Sequence, residues 1–231
     1  MAEEEDGPKY TLIVEHGHSK KTSRGHTGKG KAMYPNGDIY DGYFADGIRE
    51  GRGKYFYGNG DKYDGEWKNN VKHGIGKMVY NGKGEYNGYW ENGKRHGEGV
   101  FTYPNGDVYS GWWKFGDKEG SGTYIFKQTG MKLFGQWKMG AIENGKWVYP
   151  NGTFYAGTFD NNKPKGEGRW VFKNGNVLDG VYEQKKKEGD EEEEAAEEEG
   201  EEGAPPKPKF NLIWHSATNI AESAHLVNSV E

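Results

Sequence analysis

The chain has 231 residues and a formal net charge of −5; 39 residues are glycine, 32% are hydrophobic and 15% are aromatic. This composition excludes a thick aliphatic core, so aromatic side chains must supply most of the buried surface. The absence of cysteine excludes disulfides and thiolate metal sites and favours a reducing, intracellular compartment, and no apolar run approaches the roughly 20 residues that span a bilayer.

The first predicted segment is an N-terminal extension, residues 1–27. Residues 10–15 contain the apolar run Leu12, Ile13 and Val14, which predicts a short β-strand. Because an open sheet edge accepts further strands, we expect this strand to pair with the first edge of the sheet that follows.

Residues 28–184 form a tract of about seven repeats, each 23 residues long. The most regular position is a glycine, which recurs at Gly30, Gly53, Gly76, Gly99, Gly122, Gly145 and Gly168. Asn-Gly turn signals separate runs of alternating apolar residues, and this combination is the strongest short-range indication of a β-hairpin. The tract therefore predicts an all-β fold: an elongated, single-layer antiparallel meander with two strands in each repeat.

One strand of each repeat alternates aromatic, glycine and aromatic residues at a spacing of two. Residues two apart lie on the same side of a strand, so these positions define one aromatic–glycine face. Since glycine has no side chain, we expect aromatic rings to lie over the bare backbone and stack in columns, each pair adding roughly 0.5–1.5 kcal/mol beyond burial. The positions assigned to this face are Tyr40, Gly42, Phe44, Tyr63, Gly65, Trp67, Tyr86, Gly88, Trp90, Tyr109, Gly111, Trp113, Gly135 and Trp137.

The repeated motifs resemble those of a known family. Tyr-x-Gly-x-Trp, then His-Gly-x-Gly, then Tyr-Pro-Asn-Gly is similar to the MORN repeat, and the similarity covers about residues 28–182. The resemblance implies a twisted, extended β-meander that is used mainly for protein association and in some proteins for membrane association. Lys83 and Glu143 depart from the repeat pattern, which affects local regularity and not the fold.

Two further sets of side chains are candidate binding surfaces. On the face opposite to the aromatic–glycine face, Tyr43, Phe56, Tyr89 and Trp112 have less structural reason to be aromatic and are predicted partner contacts. A basic position also recurs and predicts a basic ladder for anionic lipids or acidic proteins, formed by Lys31, Lys54, Lys77, Lys146 and Arg169. The competing interpretation of this ladder is an ordinary solvated face, because acidic residues lie nearby.

No motif predicts catalysis, a cofactor or a metal. Gly25, Gly30 and Lys31 approach a P-loop, but Ala32 stands where a metal-binding Ser or Thr is required. Histidines precede the repeat glycines in only some repeats, and acidic residues are scattered through turns. We therefore expect a protein that is not an enzyme, with no catalytic, cofactor-binding or metal-binding residues.

The C-terminal part divides into a flexible linker, residues 185–209, and a docking segment, residues 210–231. Residues 188–202 hold eleven acidic and no basic side chains, so the rest of the chain carries +6 against −5 for the whole. Such a block of like charges predicts a solvated tether that would repel nucleic acid. In the docking segment, Phe210, Ile213 and Trp214 are predicted contacts with a partner or with the sheet, and a helical pattern starts at Asn219. The alternative is a frayed tail.

Together these features predict a structural scaffold that binds other protein subunits. The glutamate-rich run, the Lys-Pro-Lys segment and the sequence Trp-His-Ser-Ala-Thr-Asn-Ile resemble the MORN-repeat proteins of the radial spoke head. This resemblance implies a place in the axoneme, the cytoskeleton of motile cilia and flagella, and a role in motility. Two alternatives stay open: a peripheral membrane tether that binds anionic phospholipids through the basic ladder, and the regulatory part of an enzyme. Pairing of two copies is also left open, and nucleic acid is not an expected partner.

Overall fold

The computed structural model describes residues 9–186 and 210–217. These residues form β-strands joined by short turns, with one 3₁₀ segment at Glu15–Gly17 and no α-helix. The strands are β1 Thr11–Val14, β2 Ser19–Lys20, β3 Gly28–Met33, β4 Ile39–Ala45, β5 Ile48–Phe56, β6 Lys62–Lys68, β7 Val71–Tyr80, β8 Gly84–Glu91, β9 Lys94–Thr102, β10 Val108–Lys114, β11 Asp117–Ile125, β12 Lys132–Lys138, β13 Ala141–Val148, β14 Phe154–Asp160, β15 Lys163–Val171, β16 Val177–Lys186 and β17 Phe210–Ser216. The predicted antiparallel β fold class is confirmed. None of the helices described here is long and apolar enough to cross a membrane.

The chain divides into two compact units. The first comprises residues up to 104 together with 113–116, and the second comprises 105–112 and the residues from 117 onward. In the first unit, β3 to β9 form an open antiparallel meander in which each strand pairs with the next along the chain. In the second unit, β11 to β17 follow the same rule. The predicted elongated shape of the whole stays a prediction.

The N-terminal strand pairs with the first strand of the repeat tract. β1 pairs antiparallel with β3 and places Leu12 opposite Ala32. Both side chains are fully buried, and β2 pairs with the other edge of β1. Burial of Leu12 explains why the only aliphatic run of the extension lies here.

Two kinds of turn alternate along the meander. Two-residue turns such as Asp46-Gly47 have both residues at positive φ, 49° and 82°, which is the type I′ geometry that suits the twist of paired strands. The longer Asn-Gly turns are closed by backbone hydrogen bonds, for example from Gly37 N–H to the Tyr34 carbonyl at 3.0 Å. Each kind of turn reverses the direction of the chain. Consecutive strands therefore pair antiparallel, and the strands of consecutive repeats stay in register.

Carboxylates in the longer turns link each turn to the next repeat. Asp38 accepts hydrogen bonds from the Tyr55 hydroxyl at 2.6 Å and from Gly58 N–H at 2.8 Å. Burial alone would raise the pKa of Asp38, but these hydrogen bonds outweigh it and hold the pKa below its usual value. The same linkage recurs where Asp61 accepts from Asn81 N–H and Asp107 accepts from Lys127 N–H, both at 2.8 Å.

The two glycines of each Gly-x-Gly motif have different roles. The first is at positive φ, as at Gly51 (64°) and Gly74 (57°). It lies beside a shift in strand register, for example between Gly65 and Glu66 on the partner strand of β7. This geometry is that of a β-bulge, which glycine adopts without steric cost. The second glycine lies under an aromatic ring, as described below.

The docking segment is a strand over its described part. β17 pairs antiparallel with β16, with Tyr182 opposite Trp214. The helical pattern that starts at Asn219 lies outside the described residues, as do most of the acidic linker and its prolines. A strand forms here because the edge of β16 offers unpaired backbone donors and acceptors with which the segment can pair. A short isolated helix would leave these groups unpaired and is itself only marginally stable.

Candidate binding faces of the sheet

Tyrosine rings of the aromatic–glycine face lie directly on glycine backbone. The Tyr63 ring covers Gly65 and Gly76, and a Cβ placed on Gly65 would lie 2.5 Å from Tyr63 Oη. Tyr63 Oη donates a hydrogen bond to the Glu66 carbonyl at 2.9 Å. Burial raises the pKa of this phenol far above its usual range. Glycine is therefore required at both positions by close approach.

The same arrangement recurs in neighbouring repeats. Tyr86 Oη donates to the Tyr89 carbonyl at 2.9 Å, and a Cβ placed on Gly88 would lie 2.6 Å from that Oη. Tyr40 Oη donates to the Tyr43 carbonyl at 3.0 Å, with Gly42 beneath the ring. Rings therefore lie over glycines two positions further along their own strand, and Phe44 is buried beside them.

Tryptophans complete the face by edge contacts. Trp67 Nε1 donates to the Gly53 carbonyl at 3.1 Å, and Trp90 Nε1 donates to the Gly76 carbonyl at 3.0 Å. The Tyr63 and Trp90 rings meet at 5.4 Å with an interplanar angle of 84°. The predicted stacking in columns is therefore wrong for these pairs: the rings pack edge to face, because each indole must turn its N–H toward a strand carbonyl.

In the second unit the pattern is less regular. Tyr109 Oη donates to the Trp112 carbonyl at 3.2 Å, and the Tyr109 and Trp137 rings meet edge to face at 5.1 Å. A Cβ placed on Gly111 would lie 2.5 Å from Gly122 Cα.

Gly135 instead lies against the backbone of Asn144, because the tyrosine position two residues earlier is Leu133. Farther along, the buried Tyr155 hydroxyl has no hydrogen-bond partner within the described residues.

A row of cations covers the tryptophans of the first unit, and the sequence analysis did not identify it. We define the cation row as Arg49, Lys72 and Arg95. The Arg49 guanidinium lies 4.6 Å from the Trp67 ring centroid, Lys72 Nζ lies 4.3 Å from Trp90, and the Arg95 guanidinium lies 4.5 Å from Trp113. In the second unit, Lys118 lies 4.9 Å from Trp137. These cations recur every 23 residues, so the signal was present in the sequence.

The position of each cation follows from the turn that precedes it. Arg49, Lys72 and Arg95 are each the second residue of their strand, directly after a two-residue turn. Arg49 donates to the Asn70 carbonyl at 2.8 Å, and Arg95 donates to the Gly116 carbonyl at 2.7 Å. These bonds hold the two guanidinium groups close to the indole rings, where cation–π attraction contributes about 0.5–2 kcal/mol.

The cation row forms no salt bridge with a described acid, although Asp38 interacts electrostatically with Arg49 and Asp61 with Lys72. Within the described residues, no carboxylate lies within salt-bridge distance of Arg49, Lys72 or Arg95. Burial and, to a smaller extent, the positive charge of Arg95 together lower the pKa of Lys72 to about 8, against a smaller opposing effect of Asp61. The row is therefore a half-buried stripe of positive charge.

The predicted basic ladder has the opposite character. Lys54 pairs with Asp64 at 3.3 Å, and Lys77 pairs with Glu85 at 2.8 Å. In the second unit, Arg169 binds Asp179 through two hydrogen bonds of 2.6 and 3.0 Å. The two other members have different surroundings: Lys31 lies opposite Asp41 in the strand register, and Lys146 lies 5.0 Å from the Phe154 ring centroid. Carboxylates thus alternate with most of these cations.

The predicted partner contacts are largely at the surface. Tyr43, Phe56 and Trp112 are exposed by 40%, 37% and 50%. Tyr89 is half-buried, with its ring 6.2 Å from that of His73. Two further apolar side chains are exposed but were not predicted from the sequence: Ile75 in the first unit and Phe134 in the second.

The C-terminal candidates lie on the sheet. The Trp214 and Tyr182 rings meet at 4.9 Å, so Trp214 extends the aromatic packing of the second unit. Ile213 is half-buried opposite Glu183. The side chain of Phe210 lies outside the described residues. Across the described chain, no group of three or more His, Asp or Glu side chains is placed to hold a metal ion.

Comparisons with solved structures find distant similarities. The TCP domain of SAS-4 from Drosophila melanogaster, solved with a proline-rich motif of Ana2, is 18% identical with a TM-score of 0.43, covering 72% of this chain and 85% of that one. The G-box domain of the microcephaly protein CPAP is 11% identical with a TM-score of 0.45, covering 74% of this chain and 91% of that one.

Comparisons by sequence give one match. No curated protein matches the chain significantly. The family model described as the MORN repeat matches five segments, residues 40–62, 63–85, 86–108, 109–130 and 155–177. The first four segments contain the positions of the aromatic–glycine face from Tyr40 to Trp113, whereas Gly135 and Trp137 lie outside all five.

Proposed function

Because the chain belongs to the MORN-repeat family, we propose that it is a non-catalytic scaffold that binds other proteins through the faces of its sheet. The observation that carries this proposal is the set of large apolar side chains exposed opposite the aromatic–glycine face: Tyr43, Phe56, Ile75, Trp112 and Phe134. Large exposed apolar patches usually mark sites of protein association.

The acidic side chains support a role without catalysis. Asp38 and Asp61 are hydrogen-bonded to turn backbone, and Asp64 and Glu85 are paired with lysines. These carboxylates therefore have structural partners and do not form the enclosed pair that general acid–base chemistry uses.

The finer proposal is that the chain is a structural subunit of the radial spoke head, located in the axoneme of motile cilia or flagella. Its support is the resemblance of the glutamate-rich run and of the residues from 207 to 220 to the corresponding parts of radial spoke head MORN proteins. In that setting the sheet would brace neighbouring subunits during dynein-driven bending.

Purification of the tagged chain from motile ciliated cells tests both levels of the proposal. We expect it in isolated axonemes, together with other spoke subunits. A Trp112→Ser, Phe134→Ser double variant should recover fewer of these partners while melting at the same temperature as the parent. Recovery of protein partners outside axonemes would support the scaffold proposal and contradict the radial spoke assignment. Recovery of no protein partner would contradict the scaffold proposal.

The membrane-tether alternative is weakened by the basic ladder itself. Lys54, Lys77 and Arg169 are engaged by carboxylates, so this face presents alternating charge to a lipid surface. Polybasic attraction of anionic membranes needs unpaired lysines and arginines. Sedimentation with phosphatidylserine vesicles at physiological salt should therefore leave the chain in the supernatant.

A further inference from the structure

The cation row has a regular spacing that a ligand can match. Arg49, Lys72 and Arg95 lie on β5, β7 and β9, which are separated by one intervening strand each. Strands in a sheet lie about 4.8 Å apart, so successive cations are about 9.6 Å apart across the strands. A polyproline II helix advances about 9.3 Å in three residues, so every third side chain of such a helix follows this spacing.

The surroundings of the row favour an anionic segment. Most cations of the basic ladder have carboxylate partners, for example Lys54 with Asp64, whereas no carboxylate of the described residues lies within salt-bridge distance of the cation row. Lys72 and Arg95 are close enough for the charge of Arg95 to disfavour protonation of Lys72. A ligand carboxylate placed between them would relieve this repulsion and form charge-assisted hydrogen bonds.

Tyrosine rings beside the row supply the apolar part of a peptide site. Tyr34 and Tyr57 occupy one repeat position and are both half-buried. The Tyr57 ring packs on Tyr55 at 4.4 Å, and the Arg49 guanidinium lies 5.1 Å from the Tyr55 ring centroid. Grooves lined by aromatic rings bind proline-rich segments, whose preformed helix loses little entropy on binding.

We propose that the aromatic–glycine face of the first unit binds an extended acidic segment of a partner protein, in polyproline II conformation and running across the strands. One carboxylate in every third position contacts the cation row, and the intervening prolines pack on Tyr34 and Tyr57. The inference deepens the proposed scaffold and rests on it, since it specifies the partner chemistry of one face.

Fluorescence anisotropy with the full chain tests this proposal. The probe is a fluorescein-labelled peptide of four Pro-Pro-Glu triplets, and its controls are four Pro-Pro-Lys triplets and a peptide of the same composition with the glutamates consecutive. We expect the Pro-Pro-Glu peptide to bind and both controls to bind at least about tenfold more weakly, the loss that corresponds to 1.4 kcal/mol. Equal binding of the consecutive-glutamate peptide would overturn the spacing argument.

A matched pair of variants locates the site. Lys72→Gln and Lys54→Gln each remove one positive charge, but only Lys72 belongs to the cation row. Lys72→Gln should weaken binding about tenfold, as expected for one charge-assisted contact, and Lys54→Gln should change it less than about twofold. Thermal melting of both variants checks folding. Equal effects of the two substitutions would show nonspecific electrostatic attraction and overturn the proposal.

The pH dependence gives a readout that a structural role would not move. Lys72 faces Arg95, Asp61, Tyr63 and Trp90, and loses its proton near pH 8. Peptide affinity should therefore fall as pH rises from 7 to 9, whereas Lys72→Arg should keep its affinity because arginine stays charged. A Lys72→Arg variant with the same pH profile as the parent would contradict the proposal.

Recovery of native partners with Lys72→Glu separates this proposal from the scaffold on which it rests. If native partners are still recovered with this variant, the scaffold stands and the acidic-segment assignment fails.

Discussion

Single glycines determine how closely a tyrosine ring can approach the sheet. Gly88 lies between the Tyr86 hydroxyl and Gly99 Cα, and an added Cβ would be 2.6 Å and 2.5 Å from these atoms. Real Cβ atoms do not tolerate such distances, so a substitution must displace either the ring or the neighbouring strand. The sequence predicted the need for glycine here from periodicity alone.

Replacement of Gly88 by alanine should therefore destabilise the protein by about 1–3 kcal/mol, the usual effect of overpacking. Urea denaturation followed by tryptophan fluorescence measures the change. Asn87→Ala, at the exposed neighbouring position, is the control and should stay within about 0.5 kcal/mol of the parent. Equal stability of Gly88→Ala and the parent would mean that the ring does not lie on the glycine.

Lys72 carries a second prediction at this scale. Its pKa, lowered to about 8 by burial and by Arg95, lies below the value of about 10.4 in an unfolded chain. The folded state therefore disfavours the charged form, and this cost is full below pH 8 and disappears as pH rises toward 10.4. We expect the stability of the parent relative to Lys72→Gln to increase between pH 8 and 10.

Titration of ¹³Cε-labelled lysine by NMR measures the underlying pKa. One resonance should shift near pH 8 and be absent from the spectrum of Lys72→Gln. A parent protein in which every lysine titrates above pH 10 would contradict the burial of Lys72.

At the scale of elements, the two-residue turns differ in how well their residues suit the backbone. Asp46 and Asn92 begin such turns at positive φ, and Asn tolerates this conformation well. Phe115 and Met139 occupy the same position at φ of 53° and 48°, with side chains exposed by 62% and 80%. For such residues the left-handed conformation costs about 1–2 kcal/mol.

Phe115→Asn should accordingly stabilise the β10–β11 turn by about 1 kcal/mol, because asparagine adopts the left-handed conformation more readily. The urea midpoint, at an unchanged slope, is the measurement. Phe115→Ala serves as the control, since it removes the ring without improving the turn. Loss of stability in Phe115→Asn would show that the contact of Phe115 with His96, at 5.7 Å, matters more than the backbone.

The strands and turns were predictable from the sequence to different extents. Strand alternation and the Asn-Gly turns were predictable because both depend on local pattern, and the aromatic positions followed from spacing. The cation row was not predicted, because the indoles that Arg49 and Lys72 contact lie on the following hairpin. The folded sheet brings these side chains together. β17 was not predicted either, because its pairing with β16 joins segments separated by the acidic linker.

At the scale of the whole molecule, the C-terminal strand changes what the second unit exposes. β17 pairs with β16 along its length, and Trp214 packs against Tyr182 and, at 6.2 Å, against Tyr155. A chain without β17 would leave the backbone of β16 and two aromatic rings accessible. Such an edge is a template for pairing with other chains.

Truncation after residue 209 should consequently speed amide exchange in β16 and promote self-association. Hydrogen exchange by mass spectrometry and light scattering measure these effects. Truncation after Ala217 is the matched control, because it keeps β17 and should leave β16 protected. Slow exchange in β16 after both truncations would argue that β17 contributes little to this edge.

The carboxylates that join successive long turns have an evolutionary consequence. Asp38, Asp61 and Asp107 each accept a hydrogen bond from the turn of the following repeat, whereas Gly84 stands at the equivalent position of the intervening repeat. Duplication or loss of a 23-residue segment that carries such an aspartate would add or remove the carboxylate together with a turn that it can bind. The number of repeats could therefore change in steps of 23 residues without leaving these carboxylates unpaired.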